Sequence, residues 1–305
     1  MPWRDAWRSA LYGPGGFYRR PEGPAGHFRT ASSAGSPDLA AAVLALAARH
    51  GCRSIVDVGA GRGELLTAIV ALHDRSDRPE GLRLHGVDVV ARPRELPAGV
   101  GWSRGLRSLP AQVFEEALVV AFELLDVVPC PVLEVDGEGR ARTVLVDPRS
   151  GRERLGGPAP ASQLAWCRRW WPIDPDAEGS RVEVGAPRDR CWASLVGRLA
   201  AGGGTAALAV DYGHRRAERP PLGSLTGFRA GRAVPPRPDG SSDVTAHVAL
   251  DAVAAAGERA GAARTRLTTQ AAALGDLGAR DPELLDPGGL GGFGWLLQQL
   301  PRGRQ

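Results

Sequence analysis

The stretch 54–66 constrains this chain more than any other: Ser54, Ile55, Val56, Asp57, Val58, Gly59, Ala60, Gly61, Arg62, Gly63, Glu64, Leu65, Leu66. A short β-branched run ends in an acid, glycines alternate with small or polar residues, and an apolar helical spacing (Leu65, Leu66, Ile69, Val70) follows at once. The pattern predicts strand, tight loop, helix. Alternating glycines allow φ > 0 and remove the Cβ atoms that block a ligand, so such a loop lies flat against a nucleoside at the carboxyl end of the strand. Asp57 is placed where that strand opens. The alternative is an ordinary strand-to-helix turn, which uses one glycine more often than three in alternation.

Spacing narrows the choice of nucleotide. The dinucleotide fingerprint is G-x-G-x-x-G, whereas the glycines here are Gly59, Gly61 and Gly63, and Glu64 stands where the fingerprint has its third glycine. That weakens a nicotinamide reading. The next strand candidate, 82–90, carries Asp88 near its end, where a carboxylate accepts hydrogen bonds from both ribose hydroxyls. An acid, G-x-G-x-G and a second acid at the tip of strand two resemble the cofactor site of class I S-adenosylmethionine-dependent methyltransferases. The resemblance implies that Asp57 faces the methionine amine through neighbouring contacts and that Asp88 takes the ribose.

A chain of 305 residues with 43% hydrophobic content holds one large α/β domain with insertions, or two small domains. No apolar run approaches the roughly 18 residues of a membrane span, and the N-terminal residues lack the apolar core of a signal peptide, so a cytoplasmic protein without a membrane partner is expected. Cys52, Cys130, Cys167 and Cys191 are far apart with no C-x-x-C spacing, which predicts neither a metal site nor a disulfide framework. All 38 basic residues are arginine. They are scattered, without a basic run or interleaved aromatics, and nucleic acid is not an expected partner.

Residues 1–35, rich in Gly, Pro, Arg and aromatics, read as an irregular arm able to cover a pocket. Ser36 and Pro37 look like an N-cap and first helical residue, with Gly51 closing that helix. A weak helix is expected at 111–116, and the apolar run 117–122 is a central buried strand. It delivers Glu123 and Asp126 to the ligand-binding edge of the sheet, or else these acids merely cap the next turn. Residues 132–136 and 143–147 read as a β-hairpin insertion, followed by a short aromatic helix at 163–171 and a second helix at 187–199. The strand 205–210 ends in Asp211, Tyr212, Gly213 and His214. The Pro-, Gly- and Arg-rich segment 215–243 is too long for a simple connection and is either a substrate loop or disordered. Asp243, Thr245 and His247 precede a helix at 249–260; 265–269 is a late strand, and 288–295 approaches a C-terminal helix.

Segments 26–30, 57–65, 123–129, 211–214, 223–228 and 243–248, in this order, resemble the MidA-like methyltransferase family across roughly residues 12–270. Its mitochondrial member is an assembly factor that methylates an arginine of a respiratory complex I subunit. The resemblance implies an α/β, class I methyltransferase (Rossmann-like) fold: a mostly parallel sheet with helices on both faces and an inserted hairpin and helical subdomain. The divisions are an N-terminal arm (1–35) contributing to the pocket, a cofactor-binding half (36–130), the insertion (131–186) and a C-terminal half (187–305) with the substrate loop at 215–243. S-adenosyl-L-methionine is the implied cofactor, held by Thr30, Asp57, Gly59, Ala60, Gly61, Gly63, Asp88 and Glu123. Glu123, Asp126, Asp211, His214 and His247 are the candidate catalytic residues. The implied partner is a protein acceptor with arginine favoured, and a homodimer is allowed. Two positions depart from the family pattern, Phe122 where asparagine is usual and His27 where an acid is usual. They leave open a scaffold that binds cofactor without transfer, and a small-molecule acceptor stays open too.

Overall fold

The computed structural model describes residues 1–20, 36–73 and 81–301. In chain order it forms α1 (Trp3–Tyr12), α2 (Pro37–His50), β1 (Ser54–Val58), α3 (Glu64–His73), β2 (Arg83–Asp88), β3 (Val100–Arg104), β4 (Ala117–Phe122), β5 (Val132–Val135), β6 (Ala141–Val146) and β7 (Glu153–Pro158). There follow α4 (Ala161–Trp170), β8 (Arg181–Glu183), α5 (Ala186–Ala201), β9 (Ala206–Asp211), β10 (Gly213–His214), β11 (Thr226–Arg229), β12 (Arg232–Val234), β13 (Asp243–Thr245) and β14 (Val248–Ala249). The chain closes with α6 (Leu250–Arg259), β15 (Arg264–Thr269), α7 (Gln270–Asp276), α8 (Pro282–Leu285) and β16 (Gly294–Gln299). Two compact units result, one from Met1–Phe28, Leu125–Cys191 and Gly213–Val253, the other from Arg29–Leu124, Trp192–Tyr212 and Ala254–Gln305.

The second unit is built on a seven-stranded sheet of order β15-β16-β9-β4-β1-β2-β3. Strands β3, β2, β1, β4 and β9 run parallel, while β16 pairs antiparallel with both β9 and β15. Every residue of β1, β4 and β9 is buried, as a parallel strand covered on both faces requires. On one face Ile55, Leu118, Val120, Phe122, Leu208 and Val210 share a core with Leu39, Val43 and Leu46 of α2, Leu65 and Ile69 of α3, and Leu274 of α7. Ser36 precedes α2, but its hydroxyl donates to Asp281 at 2.9 Å and makes no capping bond to its own helix. Gly51 ends that helix in the left-handed conformation, φ 69°.

The C-terminal segment departs from the helix its sequence suggests: 294–299 is strand β16, buried along nearly its whole length. A short apolar run such as Trp295, Leu296, Leu297 has no periodicity to tell strand from helix. The buried polar residue within it decides the matter. Gln298 accepts from the Trp192 indole (2.7 Å) and donates to the Ala254 carbonyl (2.7 Å) and the Thr265 hydroxyl (2.9 Å). At 111–116 the expected helix is a single 3-10 turn, Ala111–Phe114.

In the first unit, the segment read as irregular contains helix α1. Trp3, Ala6, Trp7, Ala10 and Leu11 lie at 3-4 spacing and are all buried. Trp3, Ala6, Trp7 and Leu11 pack with Phe17, Val127, Val132, Val144, Val146 and Val244. The hairpin β5–β6 widens into an antiparallel sheet of order β7-β6-β5-β8. Trp166 and Trp171 pack with Leu133 and Val182, and the Trp166 indole donates to Asp189 at 2.7 Å. Segment 215–243 carries a second hairpin, β11–β12, which pairs through β11 with β13. Its turn places Ala230 (φ 49°) and Gly231 (φ 75°) both in the left-handed region, the geometry that closes two-residue hairpins. Ala-Gly is a weak signal for such a turn, which hid the hairpin in the sequence. Among the described residues no helix is long and apolar enough to cross a membrane.

Candidate active site

The glycine loop leaves the carboxyl end of β1 and enters α3. Gly59 and Ala60 donate their backbone N–H groups to the Val87 carbonyl at 2.8 and 3.1 Å, which ties the loop to the adjacent strand β2. Gly59, Gly61 and Gly63 have φ of 83°, 58° and 79°. Their roles differ in what a side chain would meet. A Cβ at Gly63 falls 2.4 Å from Leu96 Cδ1 and one at Gly59 falls 3.1 Å from Leu124 Cδ1, whereas at Gly61 only the Glu64 carboxylate comes near, at 3.5 Å. Gly63 and Gly59 are therefore needed for packing as well as conformation. Gly61 keeps an open face.

Asp88, the last residue of β2, holds this loop in shape. Its Oδ2 accepts from Gly61 N–H at 2.9 Å, and its Oδ1 accepts from Val89 N–H at 2.6 Å and Val90 N–H at 3.3 Å. Burial raises its pKa, and these three N–H groups pull the other way. Asp57, only 2% exposed, is pushed up to about 8 by burial first and then by the charges of Asp88 and Glu64. A carboxyl destabilised as an anion in this way is relieved by a nearby cation.

Glu123 and Asp211 complete the same sheet edge. Glu123 follows β4 with φ 50°, a left-handed conformation that costs a residue with a side chain and marks functional sites in many folds. Its N–H donates to the Val210 carbonyl at 2.8 Å, next to Asp211, the buried last residue of β9. The carboxyl ends of β2, β1, β4 and β9, neighbours in the sheet, thus carry Asp88, Asp57, Glu123 and Asp211. Phe122, one residue earlier, points into the core and meets Trp295 edge to face.

Asp126, His214 and His247 belong to the first unit. Asp126 is buried and accepts from the Thr245 hydroxyl at 2.7 Å. Arg188, 1% exposed, knits the same two segments together by donating to the carbonyls of Asp126 (2.8 Å), Ala246 (3.0 Å), His247 (2.7 Å) and Val128 (3.4 Å). Tyr18 donates to Asp243 at 3.0 Å, and its phenol is raised well above the usual value by burial and then by Asp243. His214 is buried and His247 exposed, with ring centroids 6.4 Å apart. Burial lowers the pKa of both, with Arg188 adding to the effect at His247. Reading the sequence missed Arg188, Tyr18 and Arg219. Arginine is too common in this chain for any one to stand out. Thr30, with Gly26, His27 and Phe28, lies outside the described residues.

Fold and loop together define an α/β protein that takes a nucleoside-bearing cofactor at the carboxyl edge of a parallel sheet, the arrangement of class I methyltransferases. Residues 39–268 match the family described as "Putative S-adenosyl-L-methionine-dependent methyltransferase", and the chain belongs to that family, which includes the MidA-like proteins. A crystal structure of a Burkholderia thailandensis protein bound to S-adenosylhomocysteine has a similar fold, with a TM-score of 0.79 at 23% identity, covering 100% of this chain and 89% of that one. A native crystal structure of a protein of the same superfamily, also from Burkholderia thailandensis, gives 0.77 at 23% identity, covering 100% and 88%. No curated protein matches the chain.

S-adenosylmethionine is accordingly the cofactor, and the residues present fit it. The open face of Gly61 admits a ligand against the backbone, Asp88 retains lone pairs for ribose hydroxyls, and the strained carboxyl of Asp57 suits a cationic amine. When bound, the cofactor supplies a methyl group activated on a sulfonium.

Proposed function

We propose that this methyltransferase modifies a protein, with an arginine side chain as the acceptor. The observation that carries this reading is the carboxylate-lined edge: Glu123 and Asp211 follow neighbouring strands and are joined at the backbone by Glu123 N–H to Val210 carbonyl at 2.8 Å. A guanidinium is a planar cation with donors only, and carboxylates are the groups that orient it by paired hydrogen bonds and receive its proton. Aligning such a nucleophile and excluding water is most of what methyl transfer from a sulfonium demands. The resemblance to the MidA-like family supports the same acceptor.

The test is transfer of labelled methyl from S-adenosylmethionine into a lysate of cells lacking the gene, with Gly61→Arg as the blank. A labelled protein whose modification maps to arginine supports the reading. Label confined to small molecules replaces it with a small-molecule acceptor. Cofactor binding without label in any fraction favours a scaffold.

A further inference from the structure

We propose that the free edge of strand β7 is a docking site for an extended acidic segment of a partner protein, which joins the sheet as a further strand. Every group involved belongs to the first unit, and the proposal does not depend on which atom accepts the methyl group.

Strand β7 ends the sheet β7-β6-β5-β8 and has β6 as its neighbour. Other stretches of this sheet's edge are covered. At the β8 end the Arg181 N–H donates to the Pro221 carbonyl at 2.8 Å, and Arg181 bridges to Leu222. Past the β5 pairing, Val146 of β6 exchanges both of its backbone bonds with Met1, at 2.9 and 3.0 Å. Val146 is also the partner of Glu153 across the β6–β7 ladder. Its N–H and C=O are directed at Met1, so those of Glu153 point away from β6. The direction alternates along an antiparallel ladder, and Glu153 and Leu155 therefore both turn N–H and C=O to the open edge. Glu153, Arg154 and Leu155 are exposed. Gly157 is exposed too, and neither a positive φ nor packing demands a glycine there, since a Cβ would meet nothing within 4 Å. A strand glycine of that kind suits the close approach of another backbone.

Charge and pattern select the occupant. A cavity of about 610 Å³ lies at the turn joining β6 to β7, where Leu145, Asp147, Arg149, Arg152, Glu153 and Arg154 line it. Both acids are already engaged. Asp147 accepts from the N–H groups of Arg149 (2.8 Å) and Ser150 (3.2 Å), and Glu153 accepts from the Trp3 indole and from Arg181, each at 2.5 Å. Among the described residues no carboxylate forms an ion pair with Arg149, Arg152 or Arg154. Three guanidinium groups are thus available to carboxylates from outside. Arg152 and Arg154, two apart, project to one face of the extended chain and Leu155 to the other, so the strand that fits alternates acidic and apolar residues. A second copy of β7 would set arginine against arginine. A nucleic acid has no peptide N–H and C=O to complete the edge.

The experiment is fluorescence anisotropy of the full-length protein with a fluorescein-labelled peptide, Gly-Glu-Val-Glu-Val-Glu-Val-Gly. The expected result is saturable binding that weakens as salt rises. Arg154→Glu weakens it about tenfold, the scale of one charge-assisted hydrogen bond. Leu155→Pro deletes an N–H that β6 does not use, a change that edge strands accept, so binding is lost while the melting temperature holds. Two further peptides, N-methylated at the glutamates or at the valines, test the same bonds on unaltered protein. Only one set of N–H groups faces β7, so one of these peptides binds and the other does not. No binding of the parent peptide, equal binding of its lysine counterpart, equal binding by Arg154→Glu, or equal behaviour of the two N-methylated peptides overturns the proposal. Self-association that Leu155→Pro abolishes would assign the edge to a second copy instead. Single-stranded DNA that displaces the peptide and binds Leu155→Pro unchanged would assign the arginines to phosphate, and either result overturns the acidic-strand reading.

Discussion

Phe122 and Trp295 meet edge to face with ring centroids 6.3 Å apart and planes at 75°, in the core beneath the edge that carries Glu123. The Phe122 side chain contributes hydrophobic packing. Phe122→Asn removes that contact and buries an amide, for an expected loss of about 3–5 kcal/mol. Urea unfolding measures it. An unchanged stability means that position 122 does not pack as described.

Asp57, as the proposed partner of the cofactor's amine, is expected to couple binding to pH. With its carboxyl at about 8 in the fold and the unfolded value about 3.9, the folded state holds the proton more tightly across that window. Its contribution to stability is full below the unfolded value and is lost as pH rises towards about 8. Binding of a cationic amine ionises the group, so calorimetry at neutral pH in buffers of different protonation enthalpy should detect proton release. Asp57→Asn should abolish that release and flatten the pH dependence of the melting temperature. Proton release persisting in the variant would reassign the coupling.

Gly63→Ala and Gly61→Ala separate conformation from contact. Both pay for a left-handed φ with roughly 1–2 kcal/mol, but only Gly63 adds a collision, with Leu96 at 2.4 Å. Gly63→Ala should lower the melting temperature further, while Gly61→Ala, on the open face, should mainly weaken S-adenosylmethionine binding. Thermal scans with and without cofactor distinguish them. Equal effects of the two changes on apo stability would contradict the packing role of Gly63.

Arg188 spans carbonyls from the 126–128 and 246–247 segments. Arg188→Met fills similar volume and leaves those acceptors without the donor, which should destabilise the protein by about 3 kcal/mol or more. Hydrogen exchange should show the loss concentrated at Asp126, Ala246 and His247. A uniform loss of protection across the chain would mean the arginine acts less locally.

The cofactor loop was legible because conformation dictates residue type there: alternate glycines at positive φ and an acid closing each of two strands leave a short, specific trace. The parallel strands β1, β4 and β9 were legible because burial on both faces demands unbroken apolar runs. Helix α1 was obscured by the Gly- and Pro-rich residues that follow it, although Trp3, Ala6, Trp7, Ala10 and Leu11 carry its stripe. Strand β16 was ambiguous because neighbouring chain, through Trp192 and Ala254, satisfies Gln298. The contact of Arg219 with the His214 ring, at 2.6 Å, comes from a segment whose composition left open a substrate loop or disorder.

The interleaving of the two units bears on synthesis. Each unit draws on three separated stretches, the first closing only with Gly213–Val253 and the second with Ala254–Gln305. The last strand to emerge, β16, is the one that joins β9 to β15. Growth from the ribosome therefore cannot finish one unit before the other begins, and until residue 299 is available β9 has an open edge in the nascent chain. A chain of this design relies on chaperoned waiting or fast late closure, and truncation ahead of β16 should yield aggregates rather than a smaller folded enzyme.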